Sequence, residues 1–345
     1  MPLLPAARLC RWLRWVTCLY TLFVFLAWLF MYVAGDRLWL ATVLLFGPRW
    51  LLLLPIVLLI PFVIMYERRL LFPLFLSVLV IAGPLMRFNI PFGTHNNASD
   101  IGMRKLRVLT CNVDQAVCDR AELAKIINDM SVDVVALQEF PSDMKLTLPV
   151  GWNMVADGGY AIISRFQVQK IKTVSVKRPR QTWAFTCLLH VIVSTPTGEI
   201  DVCSIQLPTP RVGLMQTLDR HTGVRPSRRG LFYEETAFRH SAALEAHRYI
   251  ETLKHPVIIA GDFNTPVDST LYRAIWGDLT NSFSETGSGY GWTQRVSVSG
   301  FSYRARIDHI LTGNGLTPLL SIIGPDIGSD HLPVISDFLM AKQRL

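Results

Sequence analysis

Apolar and polar positions divide the chain into two unlike parts. From Trp15 to Gly35, 21 consecutive residues carry no charge, with Arg8, Arg11 and Arg14 before them and Asp36 after. Coiled as a helix, that run is long enough to cross roughly 30 Å of hydrocarbon. Trp50–Tyr66 and Leu70–Met86 each add 17 uncharged residues, separated by Glu67-Arg68-Arg69, and read as a tight helical hairpin. Leu38–Pro48 is too short to cross alone and is expected at the interface or as the start of the second helix. Pro55, Pro61, Pro73 and Pro84 are tolerable kinks in lipid-embedded helices. A cleaved signal peptide would have a shorter apolar core and would not be followed by further runs of this kind.

Beyond Met86 the period changes. Residues 88–103, with Pro91, Gly93 and His95-Asn96-Asn97, read as a linker between a membrane anchor at 1–87 and a soluble domain at 104–345. In that domain Arg107–Val113 and Val132–Leu137 are short β-rich runs, and Asp119–Met130 between them carries apolar residues at helical spacing. Tyr160–Ser164, Lys172–Val176, Thr182–Ser194 and Glu199–Ile205 continue as strands, the last two joined by a Pro196-Thr197-Gly198 turn. Leu231–Leu253 predicts a long helix, followed by strands at Pro256–Ala260, Arg306–Leu311 and Val334–Phe338. Runs of strands broken by a few helices predict two packed sheets with helices outside, an α+β fold. No internal repeat is present.

Composition supports the division. Half of the 345 residues are apolar and 17% are charged, which excludes a disordered chain and is too apolar for an ordinary soluble enzyme. The net charge of +8 is concentrated near the apolar segments. Residues 1–100 hold eight arginines, no lysine and three acids, whereas 101–345 hold 26 basic and 23 acidic residues. A domain charge of only +3 gives no broad electrostatic footprint for a nucleic-acid duplex. Arginines crowding short loops place the N-terminal cluster and the Arg68-Arg69 turn on the cytoplasmic side. Three crossings, or one if the second and third segments dip in and return, then put the soluble domain on the extracytoplasmic face. A two-span arrangement would leave it in the cytosol. The Asn97-Ala98-Ser99 sequon matters only in a eukaryotic secretory setting. None of the six cysteines forms a CxxC pair, so one or two disulfides and buried free thiols both remain open.

Candidate chemistry gathers at the ends of the predicted strands. Asn112-Val113-Asp114 ends the first, Gln138-Glu139 the second, and Gly261-Asp262-Phe263-Asn264 follows Val257–Ala260. Arg306-Ile307-Asp308-His309 and Gly328-Ser329-Asp330-His331 complete the set. Singly, Asp262 with Asn264 could be an Asx turn, Glu139 a helix cap and Asp330 a loop acid. Together they supply acids, amides and imidazoles of the kind that hold hard cations or move protons. Glu139, Asp262 and Asp330 in one cleft would repel one another unless a cation intervened. His309 follows Asp308 directly, and neighbouring strand residues point to opposite faces, so His309 is expected to be structural.

The ordered set LTCNVD, LQEF, AIISRF, IIAGDFNTP, RIDHIL and GSDHLPV resembles the endonuclease/exonuclease/phosphatase superfamily, the deoxyribonuclease-I-like phosphodiesterases, across residues 104–345. The resemblance implies a four-layer αββα sandwich, a Mg2+ or Mn2+ requirement, and hydrolysis of a phosphate ester by in-line attack of water. It implies metal binding by Asn112, Glu139 and Asp330, with Glu139 the principal ligand, and implies that Asp262 and Asn264 orient the nucleophile and hold the phosphate. Asp308 and His331 resemble the family's acid–imidazole pair, in which the carboxylate fixes the ring tautomer. Gln206 departs from the pattern, standing where many relatives have histidine. Like Asn112 it is expected to bind substrate, since an amide can hold a phosphate oxygen, but it cannot donate a proton as an acid. Arg211, Arg220, Arg225, Arg228 and Arg229 in Pro208–Gly230 could clamp phosphates or meet anionic lipid, with Arg211 taken as a substrate contact. Tyr290-Gly291-Trp292, Phe301 and Tyr303 could line the substrate mouth or pack in the core. The expected partners are membrane lipids and a phosphoester substrate, a lipid or small phosphoester being favoured over nucleic acid. A phospholigand-binding protein without turnover is the alternative of a different class.

Overall fold

The computed structural model describes residues 6–91, 104–219, 223–224, 229–298, 301–313 and 315–340. The chain divides into two compact units, residues 1–89 with Asp268–Thr270, and the remainder. In the first, helix α1 (Ala6–Ala34) runs without interruption because nothing in its apolar sequence breaks it. The left-handed Gly35, φ 37°, follows the helix. Helices α2 (Trp39–Phe46), α3 (Leu54–Tyr66) and α4 (Leu71–Val80) follow. The segment Leu38–Pro48 is thus mostly a short helix of its own. Leu13, Val24 and Met31 of α1 bury against Ile56 and Val63 of α3 and Leu74 of α4. Three helical segments, Ala7–Arg37, Arg49–Tyr66 and Arg68–Leu85, are long and apolar enough to cross a membrane. Arg14 Nε lies 2.7 Å from Glu67 Oε2, so the N-terminal arginines and the Glu67-Arg68-Arg69 turn share one end of this bundle.

The second unit opens with β1 (Arg104–Asn112), helix α5 (Arg120–Asp129) and β2 (Val134–Gln138). Asp119 caps α5 by accepting from the N–H groups of Ala121 and Glu122. Strands β3 (Asn153–Asp157), β4 (Tyr160–Ser164), β5 (Gln167–Lys177), β6 (Ala184–Thr195) and β7 (Gly198–Gln206) follow. Next come α6 (Arg211–Thr217), a ribbon of β8 (Leu218–Asp219) and β9 (Gly223–Val224), α7 (Arg229–Ile250) and β10 (Val257–Asp262). The chain continues through α8 (Thr270–Ile275), β11 (Thr280–Asn281) and α9 (Ser282–Thr286). It ends with β12 (Gln294–Val298), β13 (Phe301–Ala305), β14 (Asp308–Thr312), β15 (Leu316–Ile323) and β16 (Val334–Met340).

Two six-stranded mixed sheets result, in the orders β15-β16-β1-β2-β4-β3 and β11-β14-β10-β7-β6-β5. Strands β1 and β2 pair in parallel, as do β7 and β10, and each pair is joined across a helix. Because successive side chains point to opposite faces, each central strand contributes to two cores. Leu106 and Val108 of β1, Val134 and Ala136 of β2, Val202 of β7 and Ile258 of β10 fill the space between the sheets. The alternate positions Leu109, Cys111 and Val135 pack on Leu123, Ile126 and Ile127 of α5. On the far side Cys203, Ile205 and Ile259 pack on Ala243, Ala246 and Ile250 of α7 and on Ile275 of α8. Each fully buried large aliphatic side chain contributes roughly 1.5–3 kcal/mol. The four layers expected from the sequence are therefore present.

Several expectations are corrected. Pro208–Gly230 is not a plain loop, since it contains α6 and the β8–β9 ribbon. The long helix is Arg229–Ile250, and the strand through Asp308 begins at that residue rather than at Arg306. The linker residues 92–103, the sequon, and Arg220, Arg225 and Arg228 lie outside the described residues, as do the side chains of Arg229 and Phe301. All six cysteines are free, four of them buried in this unit.

A polar cluster braces the second sheet. His190 Nε2 meets Asp201 Oδ1 at 2.9 Å and His190 Nδ1 meets the Tyr249 hydroxyl at 2.8 Å, while the His255 N–H donates to Asp201 Oδ2. Burial works to raise the Asp201 pKa, but the bonds from His190 and His255 outweigh it and hold the carboxyl below its ordinary value. A depressed folded pKa gives stability that is present above the unfolded value of 3.8 and is lost as pH falls through the folded one. Asp201→Asn should therefore cost about 1–3 kcal/mol at neutral pH. The deficit relative to wild type should shrink below pH 4, as measured by unfolding across a pH series.

Candidate active site

The same alternation that builds the inter-sheet core builds the site. Following Leu106 and Val108 by twos along β1 leads to Thr110 and then Asn112. Along β2 it leads from Ala136 to Gln138, along β7 from Val202 to Ser204 and Gln206, and along β10 from Ala260 to Asp262. On antiparallel β14 the sense reverses, and Asp308 precedes Ile310. All these polar side chains therefore emerge at one end of the sandwich, where the parallel strands finish. Just below them Gln138 Nε2 donates to Ser204 Oγ at 2.9 Å and to Thr110 Oγ1 at 3.1 Å, tying the two sheets together.

Glu139 and Asn264 lie off the strands and reach the same rim through left-handed backbone, with φ of 52° and 46°. Asn112 Nδ2 donates to Glu139 Oε1 at 3.0 Å and to Asp262 Oδ2 at 3.3 Å. Gln206 Nε2 donates to the same Glu139 oxygen at 2.7 Å. Asn264 holds Asp262 twice, from its N–H to Oδ1 at 2.8 Å and from Nδ2 to Oδ2 at 2.9 Å. The buried Arg239 fixes that turn by donating to the Asn264 carbonyl and Thr265 Oγ1, each at 3.0 Å.

Opposite stands His331. Its Nδ1 meets Asp308 Oδ1 and Oδ2 at 3.0 and 2.9 Å, which fixes the tautomer, while Nε2 lies 4.0 Å from Asp262 Oδ2 and 3.8 Å from Asp330 Oδ1. Donor atoms of Asp262, Asp308 and His331 all fall within 4.8 Å of one another. Gln294 Nε2 sits 3.1 Å from His331 Nε2, and an amide can serve either protonation state of the ring. Ser329 Oγ accepts from the His331 N–H and donates to the Asn112 carbonyl, which anchors the His331 loop to β1. Thr293 Oγ1 accepts from the N–H groups of Ile307 and Asp308.

The electrostatics are those of buried charge in excess. Burial raises the Asp262 carboxyl well above its ordinary value, against the pull of His331 and with the push of Asp308. Burial works to lower the His331 pKa, but Asp308 and Asp262 outweigh it and the imidazole is raised. Asp330, half-buried, is raised by its burial, with Asp114 and Asp308 adding to the rise and His331 and Arg211 opposing it. Among the described residues no lysine or arginine forms an ion pair with Glu139, Asp262, Asp308 or Asp330, and Glu139 receives only neutral amide N–H groups. A set of oxygen donors with too little positive charge fits a hard divalent cation.

The structure thus brings together Asn112, Glu139, Gln206, Asp262, Asn264, Asp308, Asp330 and His331. Arg211 opens α6 as an exposed residue and acts on Asp330 through its charge rather than through an ion pair. His309 faces the other way, its Nε2 donating to the Thr265 carbonyl at 2.9 Å, and burial pushes its pKa down to about 3. Tyr290 and Trp292 stack at 4.6 Å between centroids, and Tyr303 is partly buried. Sequence reasoning did not find Gln294, Arg239, Ser329 or Thr293. Of these only Ser329 stands inside a quoted motif, GSDH.

The second unit is thus an αββα sandwich with acids, amides and an acid-bonded imidazole at one rim. A model of the endonuclease/exonuclease/phosphatase family matches residues 109–331, and the chain belongs to that family, whose members are metal-dependent phosphoesterases or nucleases. Among solved structures it is similar to a family protein from Beutenbergia cavernae, at 18% identity over 69% of this chain and 72% of that one, with a TM-score of 0.47. It is similar to a Bacteroides vulgatus family protein at 14% identity over 69% and 100% of the two chains, TM-score 0.49. The catalytic domain of human Nocturnin with bound sulfate matches at 14% identity over 71% and 100%, TM-score 0.46. No curated protein sequence matches the chain.

Gly261, immediately before Asp262, is required by its surroundings. Its φ is 154°, and a Cβ there would meet the Ile205 carbonyl oxygen at 1.9 Å. Gly261→Ala should cost about 3 kcal/mol by forcing β7 and β10 apart, seen as a lowered thermal midpoint of the full chain in detergent. Asp262 should be displaced with it.

Proposed function

We propose that the protein is a membrane-anchored, divalent-metal-dependent phosphodiesterase or phosphatase that acts on a phospholipid headgroup or another small phosphoester at the extracytoplasmic face. The observation that carries the reading is the Asp308–His331 pair aimed at Asp262 across from the Asn112–Glu139 corner. The Asp308 carboxylate keeps a proton on Nδ1 and leaves Nε2 to take a proton from water or to hold a phosphate oxygen. Asn112, Gln206 and Asn264 offer amide N–H groups suited to the non-bridging oxygens. Glu139, Asn112 and Asp330 would hold Mg2+ or Mn2+, which when bound supplies Lewis-acid stabilisation of the charge developing on phosphate. Gln206 cannot serve as an acid, which favours substrates whose leaving group needs little protonation.

The proposed side of the membrane rests on the arginine clusters and on a count of three crossings. Both arginine clusters share one end, so assigning that end to the cytoplasm and crossing three times delivers the second unit to the other side. The domain charge of +3 supports a small substrate over duplex nucleic acid.

The test uses the full chain in detergent with Mg2+, a chromogenic phosphodiester, DNA and sphingomyelin. Hydrolysis of a small ester or lipid is expected, with His331→Ala slower by about 10²–10⁴-fold. Cleavage of DNA alone would move the protein to the nucleases, and metal-dependent binding with silence on all three would make it a non-enzymatic receptor. Chelation should abolish turnover and Mg2+ restore it. Glu139→Ala should raise the Mg2+ concentration needed by about 10–100-fold, read from activity against metal concentration. Protease shaving of intact cells should remove the domain, and protection from outside would overturn the assigned side.

A further inference from the structure

A second feature lies beside Glu139 and Gln206. An open groove of about 770 Å³ is lined by these two residues, by the turn between β3 and β4 and by the start of β6, but not by His331. Its walls are fixed. The Phe140 N–H donates to the Gly159 carbonyl at 2.8 Å, and the Tyr160 hydroxyl donates to the Thr186 carbonyl at 2.8 Å. The two-residue turn Gly158-Gly159 has φ of 60° and 88°, the left-handed geometry of a type I′ hairpin. A Cβ added at Gly159 would meet nothing within 4 Å, so the turn leaves the groove open where any side chain would project into it.

On the other wall stands Trp183, 49% exposed yet held in place. The Arg178 guanidinium carbon lies 5.8 Å from the Trp183 ring centroid and 5.1 Å from that of Phe238. Arg178 Nη2 is in turn pinned to Glu235 Oε2 at 2.5 Å. An exposed indole braced from behind by a fixed cation is a preformed stacking platform. Gln115, Arg120, Asp143 and Thr186 supply polar groups along the same groove. An acyl chain would desolvate those groups without pairing them, and a quaternary ammonium would be a second cation on an indole that already faces Arg178.

We propose that this groove is a binding subsite for a planar, hydrogen-bonding ring of the nucleobase kind, stacked on Trp183 and joined to the phosphate held at the Glu139 and Gln206 end. The inference rests on the phosphoester reading of that end, and it narrows the small phosphoester to one that carries such a ring.

The experiment measures equilibrium binding to the full chain in detergent with Mg2+, by calorimetry. The ligands are adenosine 5′-monophosphate, adenosine and glycerol 3-phosphate, each titrated into wild type, Trp183→Ala and Trp183→Phe. The nucleotide should bind about tenfold or more tighter than glycerol 3-phosphate, and Trp183→Ala should erase the difference while Trp183→Phe keeps most of it. Adenosine alone should bind weakly and only with an aromatic residue at position 183. Equal affinities for the nucleotide and glycerol 3-phosphate, with no binding of adenosine, would overturn the subsite and leave the phosphoester reading intact. Adenosine binding as tightly as its monophosphate would uphold the subsite and overturn the phosphate-holding role of the adjoining end.

Discussion

The two-residue repeat of a β-strand is the constraint from which both the stability and the chemistry of the second unit follow. One face of each central strand must be apolar over the stretch where two sheets meet, and the same face must turn polar where the sheets part. Val202-Cys203-Ser204-Ile205-Gln206 makes the change in five residues: Val202 is core, Ser204 is a polar tie between the sheets, and Gln206 touches Glu139. Asp262 and Asp308 occupy the same phase on neighbouring strands, paired directly across the ladder. A one-residue slip of either strand would send its carboxylate to the helix-covered face.

That arrangement concentrates negative charge where water is scarce. Asp262, Asp308 and His331 are each only 2% exposed. The fold tolerates them because the imidazole answers two carboxylates at once and the amides of Asn112 and Asn264 answer Asp262. The remaining deficit of positive charge suits the site to a hard cation.

Much of this was legible in the sequence because the relevant residues sit next to strong apolar runs. Asn112, Asp262 and Asp308 are marked by the strands they terminate or begin, and the face of His309 followed from its parity with Asp308. What was not legible has physical reasons. Strand β3, Asn153–Asp157, is an edge strand with an exposed–intermediate alternation and an apolar run of only three residues, Met154-Val155-Ala156, to announce it. In β15, Pro318 at the register shift disguises the strand. Glu139 is aimed by a positive φ that no glycine signals. Gln294 reaches His331 only because a bridge pairs the two residues across 37 positions, a contact that no local pattern encodes.

The last strand has a temporal consequence. Residues Arg104–Thr110 at the beginning of the domain pair with Val334–Met340 at its end, and β16 lies inside the sheet between β1 and β15 rather than at an edge. Without β16, β1 would have one flank bare. A chain in which β16 has not yet docked therefore presents an unpaired strand edge in the middle of a sheet, the kind of surface through which chains aggregate.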